Sequence, residues 1–161
     1  GHLALAKLEK RFKDTMIVTQ NIDDLHERAG SKNIIHLHGR INQSRSTLTD
    51  EVFDIEGLEL NPGDKCPRGS QLRPHIVWFG EQVPMLEEAI PYFANADIII
   101  VAGTSLEVYP AAGLINYASS KTKKFLVDPK IPGAGVLKDY VLYTENAATG
   151  LPKLVDHLIM L

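Results

Sequence analysis

The sequence predicts an α/β protein: a parallel sheet with helices on both faces, carrying one small inserted module. Three observations carry this. Short apolar, β-branched runs at Met16–Val18, Ile34–Leu37, Ile98–Ala102 and Lys124–Val127 alternate with stretches of helical spacing. That is the pattern of strands buried on both faces and joined by crossover helices. The runs also stop abruptly, in Thr19-Gln20-Asn21-Ile22-Asp23, His38-Gly39, Gly103-Thr104-Ser105 and Asp128-Pro129. In open α/β sheets, ligands bind along the carboxyl ends of the strands, so these clusters are candidates to line one crevice. Finally, periodicity vanishes between Arg40 and Leu72, a gap of thirty-odd residues that is too long for an ordinary connection.

Taken in order, His2 to Phe12 places Leu3, Leu5, Ala6, Leu8 and Phe12 close to helical spacing and reads as an amphipathic helix feeding the Met16 strand. Asp23 or Asp24 can cap a short helix through Ala29, with Gly30 as its left-handed stop. The Ile34 strand follows. Residues 40–72 read as a small module with a hairpin from Glu51 to Leu60. The α/β pattern resumes with a strand at His75–Phe79, ending in Gly80-Glu81. Pro84 opens a helix that Pro91 should kink, and Ile98–Ala102 is the clearest buried strand. Pro110 starts a helix through about Ser119, Lys124–Val127 and Tyr140–Tyr143 are strands, and Leu151–Leu161 is a closing helix. The division is therefore 1–39 and 73–161 for the sheet domain, with 40–72 inserted.

The 161 residues suffice for one domain with a real core, and 44% apolar with 23% charged residues is ordinary globular composition. A net charge of −3 without a basic block offers no electrostatic footprint for nucleic acid or an anionic membrane surface. No apolar run approaches bilayer length and no signal peptide is visible. A single cysteine, Cys66, excludes an internal disulfide and points to a reducing, cytoplasmic setting.

Among candidate site residues, Gly103-Thr104-Ser105 sits where a strand turns toward a helix, where backbone amides and hydroxyls can bind phosphate or ribose; an ordinary tight turn has the same composition. His38 ends a strand beside Gly39 and is suited to general-base work near neutral pH. His36 points to the same side, so periodicity does not choose between them; Gly39 favours His38 because it lets a substrate approach. His26 is placed on the exposed face of its short helix. Asn21 and Asp23 either grip a polar ligand or simply shape a turn and cap. Cys66-Pro67-Arg68-Gly69 has the spacing of half a zinc knuckle, but no second cysteine exists and a mixed site with Asp50, Glu51, Asp64 or His75 is a poor substitute, so no zinc is expected.

Together, TQNIDDLHERAG, LHG, LRPHIVWFGE and VAGTSLEVYPAAGL, in this order and separation, strongly resemble the sirtuins, and most closely their bacterial and organellar class III members. The resemblance implies a Rossmann-like domain with a small zinc-ribbon module, and NAD meeting an acyl-lysine protein or peptide in the cleft between them. It implies that His38 is the catalytic base, that Asn21 and Asp23 face nicotinamide, that Gln20 contacts ribose, and that Gly103, Thr104 and Ser105 bind the adenosine side. Asp128 stands where the family has an asparagine near the adenine ribose. Val77, Trp78, Phe79 and Gly80, with Glu107 and Val108, resemble the two segments that take the substrate peptide as an added strand. The implied reaction is attack of the acyl oxygen on C1′ of the nicotinamide ribose, with His38 then drawing a proton from a ribose hydroxyl so that the acyl group passes to ADP-ribose. Trp78 and Phe79 are expected to wall the acyl-lysine tunnel.

Two departures qualify the resemblance. The family's N-terminal phosphate loop and first strand are not in this chain, which therefore reads as the C-terminal two-thirds of a deacylase, with exposed sheet surface that favours self-association. Three of the four zinc thiolates appear as Ser46, Thr49 and Gly69, leaving Cys66 and a thin apolar core of Phe53, Ile55, Leu58 and Leu60. The competing reading is a non-catalytic sirtuin-like module that binds an ADP-ribose-type ligand or a protein partner.

Overall fold

In the computed structural model, residues 1–57, 59–104, 109–130 and 139–160 are described. Strands β1 (Ile17–Thr19) and β2 (Ile34–His36) pair in parallel, Val18 opposite Ile35. Strands β6 (Ile98–Ala102), β7 (Lys123–Val127) and β8 (Tyr140–Tyr143) form a second parallel sheet in that order. Helices cover both: α1 (His2–Arg11), α2 (Leu25–Arg28), α3 (Leu86–Ala94), a 3₁₀ helix at Ala111–Tyr117, and α4 (Ala147–Ile159). Parallel strands with helices between them are a Rossmann-like α/β arrangement, as the alternation predicts.

The core explains why these segments adopt these forms. Phe125 and Val127 of β7 pack with Leu151, Leu154, Val155 and Leu158, the apolar stripe of α4, and with Ala4 and Leu8 of α1. Leu126 points to the opposite face and meets Ile99 and Val101 of β6. The period-two alternation of β7 thus feeds both faces of the sheet. Phe93 of α3 packs against the Ile99–Leu126 cluster and against the Ile35–Leu37 cluster, so one helix covers both parallel sheets. On α1 the buried face is Ala4, Ala6 and Leu8, while Leu3 stands exposed, so the helix is rotated from the face its larger side chains suggest. Glu9 anchors that helix to the strand entry, its carboxylate accepting from the amides of Lys32 and Asn33 at 3.0–3.1 Å.

The main departure lies in the middle of the chain. Strands β3 (Gly39–Ser46), β4 (Val52–Asp54) and β5 (Leu72–Ile76) form an antiparallel sheet in the order β4-β3-β5. The Glu51–Leu60 hairpin does not form among the described residues; instead β4 folds back on β3, Ser44 opposite Phe53. The expected strand at His75–Phe79 ends at Ile76, and Trp78 to Glu81 is a turn closed by Glu81 N–H to the Trp78 carbonyl at 3.0 Å. An apolar run alone could not distinguish a parallel buried strand from an antiparallel one, because both bury the same residue types. Leu58, one of the four expected core residues of the module, lies outside the described residues. Phe53, Ile55 and Leu60 line a cleft of about 230 Å³ together with Pro67 and Leu72. Among the described residues, no helix is long and apolar enough to cross a membrane.

Candidate functional site

Of the predicted site residues that are described, Gln20, Asn21, His38, Gly103 and Asp128 stand just beyond the carboxyl ends of parallel strands, whereas Val77–Gly80 follow the antiparallel strand β5. Gln20 and Asn21 leave the end of β1, and Thr19 Oγ1 accepts the Asn21 amide at 3.1 Å. His38 follows β2, and its carbonyl accepts the Val77 amide at 3.0 Å, which ties the site to the end of β5. Gly103 follows β6 at φ +64, with open space where a Cβ would stand. Asp128 ends β7; its Oδ1 accepts the Lys130 amide at 2.8 Å, forming an Asx turn. Ser105, Glu107 and Val108 lie outside the described residues.

Two histidines hold the backbone of the β1 exit loop, and their surroundings separate their roles. His38 Nδ1 lies 3.1 Å from the Gln20 carbonyl, and His36 Nδ1 lies 3.0 Å from the Asn21 carbonyl. A carbonyl only accepts, so each Nδ1 carries the proton; this assignment comes from the partner. His36 is buried and its Nε2 meets Glu27 Oε1 at 2.9 Å, an oxygen that also pairs with Arg40. Both ring nitrogens of His36 are therefore committed to structure. His38 is half-buried, and with Nδ1 donating, its Nε2 presents a lone pair. Periodicity leaves the choice between these histidines open; hydrogen bonding favours His38 as the base.

Several expectations change in detail. Gly39 lacks a side chain because β5 passes against it: at φ +78, a Cβ would collide with the His75 carbonyl. Its glycine is required by the β3–β5 crossing, and ligand approach is not needed to explain it. His26 is buried, not exposed; it stacks edge-on with His2 at 4.7 Å between centroids, and burial, with His2 adding to it, holds its pKa below the usual histidine value. Asp23 Oδ1 accepts the Leu25 amide at 3.0 Å, an Asx turn leading into α2, whose N-cap is Asp24 without a side-chain cap bond. The other oxygen is not used in that turn, so shaping the turn and binding a ligand are compatible. Trp78 and Phe79 both stand exposed.

Glu27, Arg40 and the Arg73–Glu81 pair are missed by the sequence reading. Glu81 accepts from Arg73 at 2.6 and 3.2 Å, from Arg45 at 3.4 Å and from the Trp78 amide at 3.0 Å. The Arg73 hydrogen bond, followed by the Trp78 amide, pulls its pKa from 4.5 to about 2. The available clue for the first pair was an acid on the short helix preceding the His36–His38 pair.

Comparison with known proteins supplies the family. The Sir2 family model matches residues 1–110. An NAD-dependent protein deacylase of Bacteroides thetaiotaomicron is 43% identical over 165 aligned positions, covering 99% of this chain and 70% of the relative. The chain belongs to the Sir2 family. A second relative, an NAD-dependent protein deacylase of Helicobacter pylori, is 44% identical, with 99% of this chain and 69% of the relative covered. Among solved structures, a Sir2 homolog–NAD complex superposes with a TM-score of 0.82 at 38% identity, covering 99% of this chain and 62% of that one. A Sir2–p53 peptide–NAD+ complex superposes with a TM-score of 0.78 at 33% identity, with 99% and 68% covered. This chain thus spans about two-thirds of the length of the Sir2 proteins it matches.

Within the Sir2 frame the residues present fit NAD. Open space at Gly103, amide and carboxylate groups in the Asn21–Asp23 loop, and an imidazole whose Nε2 has no partner among the described residues all follow parallel strands, where backbone can approach a nucleotide closely.

Proposed function

We propose that this protein is an NAD-dependent protein-lysine deacylase that releases nicotinamide and an O-acyl-ADP-ribose. The observation that carries this reading is His38: its Nδ1 is pinned by the Gln20 carbonyl at 3.1 Å, which leaves Nε2 as a base beside the Asn21–Asp23 loop. NAD, when bound, supplies the electrophilic ribose carbon and the hydroxyl that receives the acyl group. Asn21 and Asp23 line the nicotinamide side, Gln20 the ribose, and Gly103, Thr104, Ser105 and Asp128 the adenosine side. Val77–Gly80 and Glu107–Val108 take the acyl-lysine peptide as an added strand. His38 accepts a proton at Nε2 from a ribose hydroxyl, and the Gln20 carbonyl holds the ring in the tautomer that can do so. The relatives named as NAD-dependent protein deacylases and the NAD and peptide complexes of Sir2 proteins support this reading. The single cysteine supports a cytoplasmic setting.

The test is release of free nicotinamide from NAD in the presence of an acyl-lysine peptide. It is run on this chain and on the chain extended by an N-terminal phosphate-loop segment. Turnover is expected at least in the extended form, and His38→Ala should lower it by about 10²–10⁴-fold with little change in melting temperature. Retained activity in His38→Ala would mean another residue is the base. Binding of ADP-ribose with no nicotinamide release in either form would instead fit a non-catalytic binding module.

A further inference from the structure

The Sir2 resemblance implies a structural zinc in the small module, held at the positions of Ser46, Thr49, Cys66 and Gly69. The residues present do not fit that ion. Only one of the four is a thiol, and Gly69 has no side chain. Thr49 Oγ1 donates to Glu51 Oε2 at 3.2 Å. Among the described residues, no group of three or more His, Cys, Asp or Glu side chains is placed to hold a metal. Within the set, Ser46 Oγ and Cys66 Sγ stand 3.9 Å apart, and the hydroxyl that bridges them belongs to Ser70, which is not one of the four positions. Tetrahedral oxygen and sulfur ligands at zinc bond lengths would stand about 3.5 Å apart. Ser46 Oγ and Ser70 Oγ are 2.6 Å apart, and Ser70 Oγ lies 3.0 Å from Cys66 Sγ.

These spacings are hydrogen-bond distances, and the direction of the bonds can be read from their partners. Ser46 Oγ accepts the amides of Leu48 at 3.2 Å and Thr49 at 3.1 Å, which uses both its lone pairs. That leaves the Ser46 proton for Ser70 Oγ and the Ser70 proton for the sulfur of Cys66, while the Cys66 thiol makes a longer contact of 3.9 Å back to Ser46 Oγ. All three side chains are buried: Ser46 and Cys66 are each 4% exposed and Ser70 8%. The backbone closes round them, Cys66 N–H to the Ser70 carbonyl at 2.9 Å and Gly69 N–H to the Cys66 carbonyl at 2.8 Å. The Ser70 hydroxyl bond, opposed by burial, brings the Cys66 thiol down from 9.0 to about 7, as expected for a sulfur at the accepting end of the relay.

We infer that the small module is closed by a directed hydroxyl-to-thiol relay, Ser46 to Ser70 to Cys66, in place of a structural zinc ion. The relay joins the Ser46–Thr49 turn at the end of β3 to the Cys66–Ser70 turn before β5, the two turns a shared cation would otherwise clamp. An apolar core does not do this, since Phe53, Ile55 and Leu60 border an open cleft. This inference is independent of the deacylase reading, because its measurements are metal content and melting temperature.

The test begins with the purified chain, produced with zinc in the medium and exchanged into chelator-treated buffer. Elemental analysis should find far less than one zinc per chain. The melting temperature should be the same with and without 1,10-phenanthroline, and unchanged by added zinc. Ser46→Ala and Ser70→Ala should each lower it by about 2–4 °C. Ser70→Thr, which keeps the hydroxyl, should retain most of it. One zinc per chain, a fall in melting temperature on chelation, or alanine variants that melt like the parent would each overturn the inference. If an alanine variant fails to fold, the metal analysis and chelator melt on the parent chain still decide it.

Discussion

The parallel layer and the antiparallel module solve the same problem by different means. In the layer, Leu126, Val127, Leu154 and Val155 are fully buried, and strands and helices interlock through aliphatic side chains. Among the described residues of the module, the well-buried ones are polar or small: Ser44, Ser46, Ser70 and Cys66. Gln71 adds to this, its Nε2 within 3.0–3.3 Å of the Asn61, Asp64 and Leu72 carbonyls while its Oε1 accepts the Gly63 amide at 2.9 Å. Aliphatic burial is non-directional and tolerates small shifts, whereas hydrogen bonds hold only at correct distance and angle. The layer should therefore lose stability in proportion to volume removed, and the module in steps as individual bonds are cut.

The sharpest way to break this contrast is in the layer. Leu154→Ala leaves a cavity among Val127, Val155 and Leu158 and should cost about 3–4 kcal/mol, read as a fall in denaturant midpoint. Phe53→Ala, on a half-buried module position, should cost much less, and equal losses would mean the module has an aliphatic core after all. Next comes the joint between the regions. Gly39→Ala drives a methyl into the His75 carbonyl at φ +78 and should cost about 2–3 kcal/mol. Since His38 is the adjacent residue, nicotinamide release should fall more steeply than stability. A variant that melts and works like the parent would show that β3 and β5 can separate.

A smaller effect is expected at Glu27, where one carboxylate oxygen serves both His36 and Arg40. Glu27→Gln keeps the shape but loses the charge, and should cost about 1–2 kcal/mol. It should also loosen the Asn21 loop, raising the KM for NAD more than it lowers kcat. The smallest effect is on pH. Burial holds His26 below its ordinary 6.5, so the unfolded chain takes up a proton first as pH falls. Stability from this site is complete above about 6.5 and declines as pH drops toward the folded value. His75 acts in the same direction, through burial and the charge of Arg45. Glu81 does not interfere, because its loss falls between 4.5 and about 2. Melting from pH 7 to 5.5 should decline less in His26→Phe than in the parent, and parallel declines would remove His26 as a contributor.

Much of this was legible in the chain itself. The aliphatic runs of β6 and β7 and the stripe on α4 declared a buried parallel layer, because burial on both faces demands continuous apolar residues. The polar clusters at the strand ends marked the candidate site for a similar reason: a buried strand can carry polar side chains only where it emerges. His38, Asn21 and Asp23 were legible as a group through their motif. The two histidines show what was not. His36 closes β2 and His38 lies in the turn after it, and only the Glu27 carboxylate, shared with Arg40, commits the His36 Nε2, while His38 Nε2 has no such partner among the described residues.

Local pattern thus determined which segments are buried and which polar residues stand at the strand ends, since both follow from side-chain polarity along a few consecutive positions. Tertiary structure decided pairing direction, the partner of each polar atom, and the demand for glycine at position 39. Those depend on contacts between residues separated in sequence: β5 arriving antiparallel beside β3, Ser70 closing on Ser46 across 24 positions, and Glu27 reaching His36 across 9. A hydrogen bond is specified by both its ends, and the chain order displays them only one at a time.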